Sequence, residues 1–215
     1  MTNTEYTLPK DIERRSFEII SEELGKMGVS LPRCEADIIK RVIHTTADFG
    51  YTDTMRFSNG AVSIARELIV SGADIVTDTN MALAGINRKK LADFGGEAHC
   101  FMAEEETARL AEKENVTRAA ASVDIASRIK KPLIYVVGNA PTALMRLYEL
   151  SKEKIWSPAF IIGVPVGFVN VEASKELIME TDIPFIVNRG RKGGSNVAAA
   201  IVNALIYGAE RMTGR

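Results

Sequence analysis

Cysteine is nearly absent from this chain of 215 residues: Cys34 and Cys100 stand far apart, in no paired spacing. That excludes a disulfide framework, and with only two histidines, His44 and His99, it leaves too few ligands for a protein-borne transition-metal site. An excess of either charge is missing too. Lys and Arg number 27 against 28 Asp and Glu, a formal net charge of −1. No whole-molecule field therefore draws in nucleic acid, and any grip on an anion has to be local. No uncharged apolar run approaches the roughly 20 residues of a membrane span, and the opening MTNTEYTLPK has neither the basic nor the apolar region of a signal peptide. These absences predict a cytoplasmic protein with no membrane and no nucleic acid among its partners.

Common motifs are missing as well. There is no Gly-x-Ser-x-Gly elbow for a serine hydrolase, no Gly-Lys-Ser/Thr to complete a phosphate loop near Gly190, and no Gly-x-Gly-x-x-Gly after the run at residues 133–137. Linkers and low-complexity tracts are absent, so a single domain over residues 1–215 is expected, and a hydrophobic share of 46% is enough for one large core.

What is present is an alternation of helix and strand signals. Residues 16–27 carry Phe17, Ile20 and Leu24 at helical spacing, and residues 34–48 set Ile38, Ile39, Val42 and Ile43 on one face. Further helices are predicted over 59–71 and 116–130, a short helix or turn over 81–86, and strands over 74–78 and 98–102. From residue 133 onward a strand, turn and helix unit recurs, with helices over 171–179 and 196–207. The pattern predicts an α/β fold, a three-layer domain with a mostly parallel β-sheet.

Three apolar runs, at 133–137, 160–162 and 185–187, each end in a glycine-bearing turn. The turns read Gly138-Asn139-Ala140-Pro141-Thr142, Gly163-Val164-Pro165-Val166-Gly167-Phe168, and Asn188-Arg189-Gly190-Arg191-Lys192-Gly193-Gly194-Ser195-Asn196. An open parallel sheet binds ligands beyond the carboxyl ends of its strands. Glycine lets the main chain come close to a ligand, and the helix that follows turns free N–H groups and its positive dipole end toward an anion. The chain reads as a binder of something bulky and acidic.

Five side chains could give such a crevice its chemistry. His44 falls in the last turn of its predicted helix, where the negative dipole end favours an imidazolium by about 0.3–1 kcal/mol. It could donate a proton, or simply bond the last carbonyls of the helix. Arg189, Arg191 and Lys192 could hold carboxylates through charge-assisted bonds or form a solvated basic turn. Arg118 opens a helix, where a cation is slightly disfavoured, so it is either a ligand group or a surface arginine. His99, within an apolar strand, is read as a core residue without a role.

At these residues the chain closely resembles the precorrin-8X methylmutase family of corrin-ring biosynthesis. The resemblance runs over nearly the whole length. It is carried by Glu13-Arg14-Arg15-Ser16-Phe17, Arg41-Val42-Ile43-His44, the NVTRAAA stretch at 115–121, Gly138-Asn139-Ala140-Pro141-Thr142-Ala143-Leu144, Gly163-Val164-Pro165-Val166-Gly167-Phe168-Val169 and Arg189-Gly190-Arg191-Lys192-Gly193-Gly194-Ser195. It implies an enzyme that moves a methyl group from C11 to C12 of the macrocycle, as a homodimer, with a corrinoid substrate and no added cofactor or protein-bound metal; any cobalt arrives inside the substrate.

Residue by residue, the resemblance puts the catalytic histidine, a proton donor to the ring, at His44. Ser16 and Arg118 fall near the bound ring. The turns with Asn139, Gly167, Gly193, Gly194 and Ser195 supply main-chain donors to the acetate and propionate arms, with Arg189 and Arg191 as charged partners and Phe168, Ala140 or Pro141 against the apolar face of the ring. Asn87 stands where some members carry threonine; it offers a similar hydrogen bond without the methyl group. The run His44-Thr45-Thr46-Ala47-Asp48-Phe49 is similar to that of members acting on cobalt-precorrin-8. A non-catalytic tetrapyrrole carrier could use the same cage without the acid. A dinucleotide-dependent oxidoreductase would need the fingerprint this chain lacks.

Overall fold

The computed structural model of the chain describes residues 9–214. The chain begins with helices α1 (Pro9–Lys26), α2 (Ala36–Thr46) and a single turn, α3 (Tyr51–Thr54), then a short strand β1 (Met55–Phe57) and α4 (Ala61–Val70). Strand β2 (Asp74–Thr77) leads to α5 (Asn80–Gly85) and α6 (Arg88–Ala92), and β3 (Ala98–His99) leads to α7 (Glu105–Glu114) and α8 (Arg118–Ala126). The last part alternates as β4 (Leu133–Val137), α9 (Pro141–Lys152), β5 (Phe160–Gly163), α10 (Val171–Met179), β6 (Phe185–Asn188) and α11 (Ser195–Thr213).

The six strands form one sheet in the order β1-β6-β5-β4-β2-β3, parallel except for β1, which pairs antiparallel with β6. Strand side chains alternate between two apolar layers, as the pleat requires. Ile134 and Val136 of β4 pack with residues of α2, α4 and α11, whereas Leu133, Tyr135 and Val137 pack with residues of α8 and α9. Every residue of β2, β4 and β5 is buried, the signature of a parallel sheet covered on both faces. Each fully buried Ile, Leu or Val contributes about 1.5–3 kcal/mol.

Strand order reverses between β2 and β4, which are neighbours although β3 lies between them in sequence. In an open sheet of this kind, ligands bind at that reversal, outside the carboxyl ends. Among the described residues, no helix is long and apolar enough to cross a membrane.

The strand expected over 98–102 is only Ala98–His99. At this edge, Thr77 donates its hydroxyl to the His99 carbonyl (3.2 Å) and Thr107 donates to the Phe101 carbonyl (2.6 Å), so the chain is drawn out of the sheet and into α7. His99 is not a core residue. Its ring is partly exposed, stacks on Phe101 and lies 3.8 Å from Asp74. The helix expected over 34–48 is Ala36–Thr46, closed by Ala47 in the left-handed region (φ 55°), whose N–H bonds the Ile43 carbonyl. The helix expected over 116–130 is Arg118–Ala126, capped by Thr117 Oγ1, which accepts the Ala120 N–H.

Candidate active site

His44 lies exposed in the last turn of α2. Its imidazole stacks on Phe17 of α1 (centroids 5.3 Å apart, planes at 23°), and the Arg41 guanidinium lies 4.7 Å from the same phenyl ring. Arg41 is itself paired with Glu13. Helix α1 therefore sets the place of the histidine through an aromatic contact and an ion pair. Beside His44 opens a groove of about 290 Å³ between α2, α5 and α11, bordered by Arg41, Gly85, Asn196, Asn203 and Tyr207.

The glycine turns meet at the carboxyl edge of the sheet. A Cβ on Gly138 would lie 2.8 Å from Ser195 Cα, so the first and third turns touch only because that position is glycine. Gly193 (φ +154°) is held more tightly still: a Cβ there would lie 2.0 Å from the Val164 carbonyl oxygen of the second turn. The Gly194 N–H donates to that same carbonyl at 2.9 Å, and the Gly167 N–H donates to the Arg191 carbonyl at 3.2 Å, so, contrary to expectation, these two amides are engaged between turns and not offered to a ligand. Ser195, buried at the start of α11, shares a 2.8 Å hydroxyl contact with Thr79, the N-cap of α5.

Asp78, at the end of β2 and 1% exposed, was not among the residues expected to matter. One carboxylate oxygen accepts the Gly138 N–H (2.8 Å) and the other accepts those of Asn139 (2.8 Å) and Ala140 (2.6 Å). Burial pushes its carboxyl up from the ordinary range while the three amides pull it back. The protein's own anion thus fills the nest at the reversal of strand order. This corrects the expectation that the first turn offers main-chain donors to a ligand: those amides, Asn139 included, are taken, and only the exposed Asn139 side chain remains available.

The basic turn is also less free than its sequence suggests. Arg189 grips Glu176 with two bonds of 3.0 Å, Arg191 bonds Glu172 at 2.8 Å, and Lys192 bonds Asp48 at 2.7 Å. The Lys192 ammonium holds the Asp48 carboxyl below the usual range, aided by the Gly50 N–H and opposed by desolvation. Asp48 follows His44 by four residues, so this pair ties the end of α2 to the third turn. Phe168 is 83% exposed and lies 5.5 Å from the Arg191 guanidinium, an apolar face with a charged rim.

Three expected residues stand apart. Ser16 precedes Phe17 and donates its hydroxyl to the Ile12 carbonyl. Asn87 caps α6 by accepting the Lys90 N–H at 3.2 Å, and its own N–H donates to Asn203 Oδ1 at 2.8 Å at the rim of the groove. Arg118 is exposed at the first position of α8, and its guanidinium has no partner among the described residues. No cluster of three or more potential metal-ligating side chains occurs among the described residues.

Below the third turn lies Lys175, missed in the sequence and fully buried. The spacing of Val171, Ser174, Lys175 and Ile178, all on the buried face of α10, was the available signal. Desolvation brings its ammonium down to about 8, with Glu172 opposing the shift.

Buried strands, a reversal of strand order and a histidine beside a groove at the edge of three clasped turns define an α/β ligand-binding enzyme. Comparison with known proteins gives the family. The sequence profile of precorrin-8X methylmutase matches residues 11–208. The chain is 46% identical over 204 residues to a cobalt-precorrin-8 methylmutase of Salmonella typhimurium, covering 93% of this chain and 95% of that protein. It is 36% identical over 196 residues to a precorrin-8X methylmutase of Pseudomonas aeruginosa, covering 90% and 93%. The crystal structure of a precorrin-8X methylmutase from Thermus thermophilus superposes with a TM-score of 0.84 at 38% identity, covering 94% of this chain and 98% of that one. The chain belongs to the precorrin-8X methylmutase family, whose members are isomerases of cobalamin biosynthesis. Relatives named as methylmutases do not favour a non-catalytic carrier.

Proposed function

We propose that this enzyme moves the methyl group of cobalt-precorrin-8 from C11 to C12, giving cobyrinate, with His44 as proton donor to the ring. The observation that carries the reading is the place of His44 in a member of this family: exposed, braced by Phe17, and bordering a groove. The reaction is an isomerisation. One carbon–carbon bond breaks at C11 and one forms at C12, nothing is oxidised or reduced, and the proton lent by the imidazole returns to it. No second substrate has to be oriented, so the protein's work is to shift the electronic state of the ring and fix its shape. The groove is much smaller than a corrinoid and open, so the ring rests across it with the carboxylate arms outside.

Phe168 supplies an apolar face for the ring, while Arg118, without a partner among the described residues, and Arg191 meet carboxylates. Asn87, bonded to Asn203 at the rim of the groove, adds a polar contact, and Ser16 is assigned to the ring's surroundings on the family resemblance. One unit spanning residues 1–215 carries the step without an added cofactor, and cobalt enters with the substrate. We place the reaction in the cytoplasm and assign a homodimer, on the family resemblance and the exposed Phe168 and Val169. Cobalt-precorrin-8 and metal-free precorrin-8X assayed side by side, with no reductant or methyl donor, test the reading. Conversion of the cobalt-loaded ring at the higher kcat/KM is expected. Faster conversion of the metal-free ring would reassign the substrate, and conversion of neither would overturn the reading.

A further inference from the structure

The turn at 189–194 draws its carbonyls inward. The carbonyls of Arg189 and Lys192 accept Asn188 Nδ2 at 3.2 and 2.9 Å. Those of Gly190 and Lys192 accept Lys175 Nζ at 2.6 and 2.9 Å, and that of Arg191 accepts the Gly167 N–H at 3.2 Å. Four successive carbonyls are satisfied from inside. The N–H groups at the ends of the run are satisfied too, Arg189 to the Thr54 carbonyl (2.8 Å) and Gly194 to the Val164 carbonyl (2.9 Å). Those between them, of Gly190, Arg191, Lys192 and Gly193, meet no acceptor among the described residues.

A buried ammonium is costly, and among the described residues Lys175 offsets that cost with no carboxylate in ion-pair contact, only with two carbonyls of this turn. A methionine would fill the same space without the penalty. The side chain makes physical sense if the orientation of those peptide groups is what is needed. Successive free amides in a turn form a concavity that receives anions. Arg189, Arg191 and Lys192 each have a carboxylate partner, Glu176, Glu172 and Asp48, whereas these amides have no acceptor of their own among the described residues.

We propose that Lys175 is a positioning residue: by holding the Gly190 and Lys192 carbonyls inside, it leaves four consecutive amide N–H groups to receive carboxylate arms of the corrinoid. The choice of ligand rests on the methylmutase reading. The test compares binding of cobyrinic acid and of its heptamethyl ester, which keeps the ring and loses the charges, followed by corrinoid absorption. Wild-type protein is expected to prefer the acid by at least about tenfold, the equivalent of one well-made bond. Lys175→Met is expected to lower acid affinity about tenfold while ester affinity stays within twofold. Lys175→Gln, which keeps two N–H donors without the charge, is expected to fall between them and serves where the methionine variant does not fold. An acid-to-ester ratio unchanged in the folded variant, an equal fall for both ligands, or no acid preference in the wild type would overturn the proposal. If the ratio falls as expected while the wild type fails to convert cobalt-precorrin-8, this role stands and the catalytic reading fails.

Discussion

Replacing Asp78 with alanine removes the acceptor for three amide N–H groups at once. The carboxylate bonds Gly138, Asn139 and Ala140 within 2.6–2.8 Å. An unsatisfied buried donor costs about 1–3 kcal/mol. The three do not count equally, because the Gly138 bond is fully buried and the other two are partly reached by water. A total of about 3 kcal/mol follows, the lower end of what breaking a buried charged contact costs. For a chain of this length that lowers Tm on the order of 10 °C. The vacated space has the size of a formate ion and keeps its donors, so formate should restore stability by mass action, about 2 kcal/mol at thirtyfold over its Kd. The assay is thermal melting of wild type and Asp78→Ala in formate and in chloride at equal ionic strength. A Tm loss under 2 °C, or formate raising both proteins equally, would refute the claim that this carboxylate fills an anion nest.

Three further outcomes are expected. Arg191→Ala weakens corrinoid binding about threefold to tenfold at low ionic strength, and the deficit shrinks as salt screens the site; equal affinity at low salt would remove Arg191 from the carboxylate contacts. Gly193→Ala forces a Cβ to 2.0 Å from the Val164 carbonyl at φ +154°, so it should cost upward of about 3 kcal/mol and break the clasp between the second and third turns; a melting point within 2 °C of wild type contradicts this. The folded ammonium of Lys175 titrates near 8 against an ordinary 10.5. Between those values the unfolded chain holds the extra proton, so this group destabilises the fold at neutral pH and its penalty fades as pH rises. Urea melts at pH 8 and pH 10 should show wild type gaining about 2 kcal/mol over Lys175→Met; a flat difference would refute it.

Much of the layered fold was legible because a strand buried on both faces reads as an unbroken apolar run, as at Leu133–Val137, and because the glycine turns mark the strand ends. The weak elements were not. Helix α7 turns only Thr107 and Ala111 into the interior, too few apolar positions to announce a helix, and β1 is three residues held by its antiparallel pairing with β6. At the site, His44, Phe168 and the basic turn stood out by residue type and position. Asp78 did not, because its partners lie 60 to 62 residues further along the chain and are main-chain groups. The pairing of Arg189, Arg191 and Lys192 was hidden for the same reason: Glu176, Glu172 and Asp48 become neighbours only when α10 and the α2–α3 turn pack around the third turn.

The proton-donor role of His44 is tested most directly by mixing cobalt-precorrin-8 with wild type and with His44→Asn, following the absorption spectrum without methyl donor or reductant, and measuring ligand affinity in parallel. Wild type is expected to give a spectral change to cobyrinate, and the variant an affinity within about threefold but turnover lowered at least about a hundredfold, the scale of a lost general acid. Turnover by His44→Asn within tenfold of wild type would contradict it.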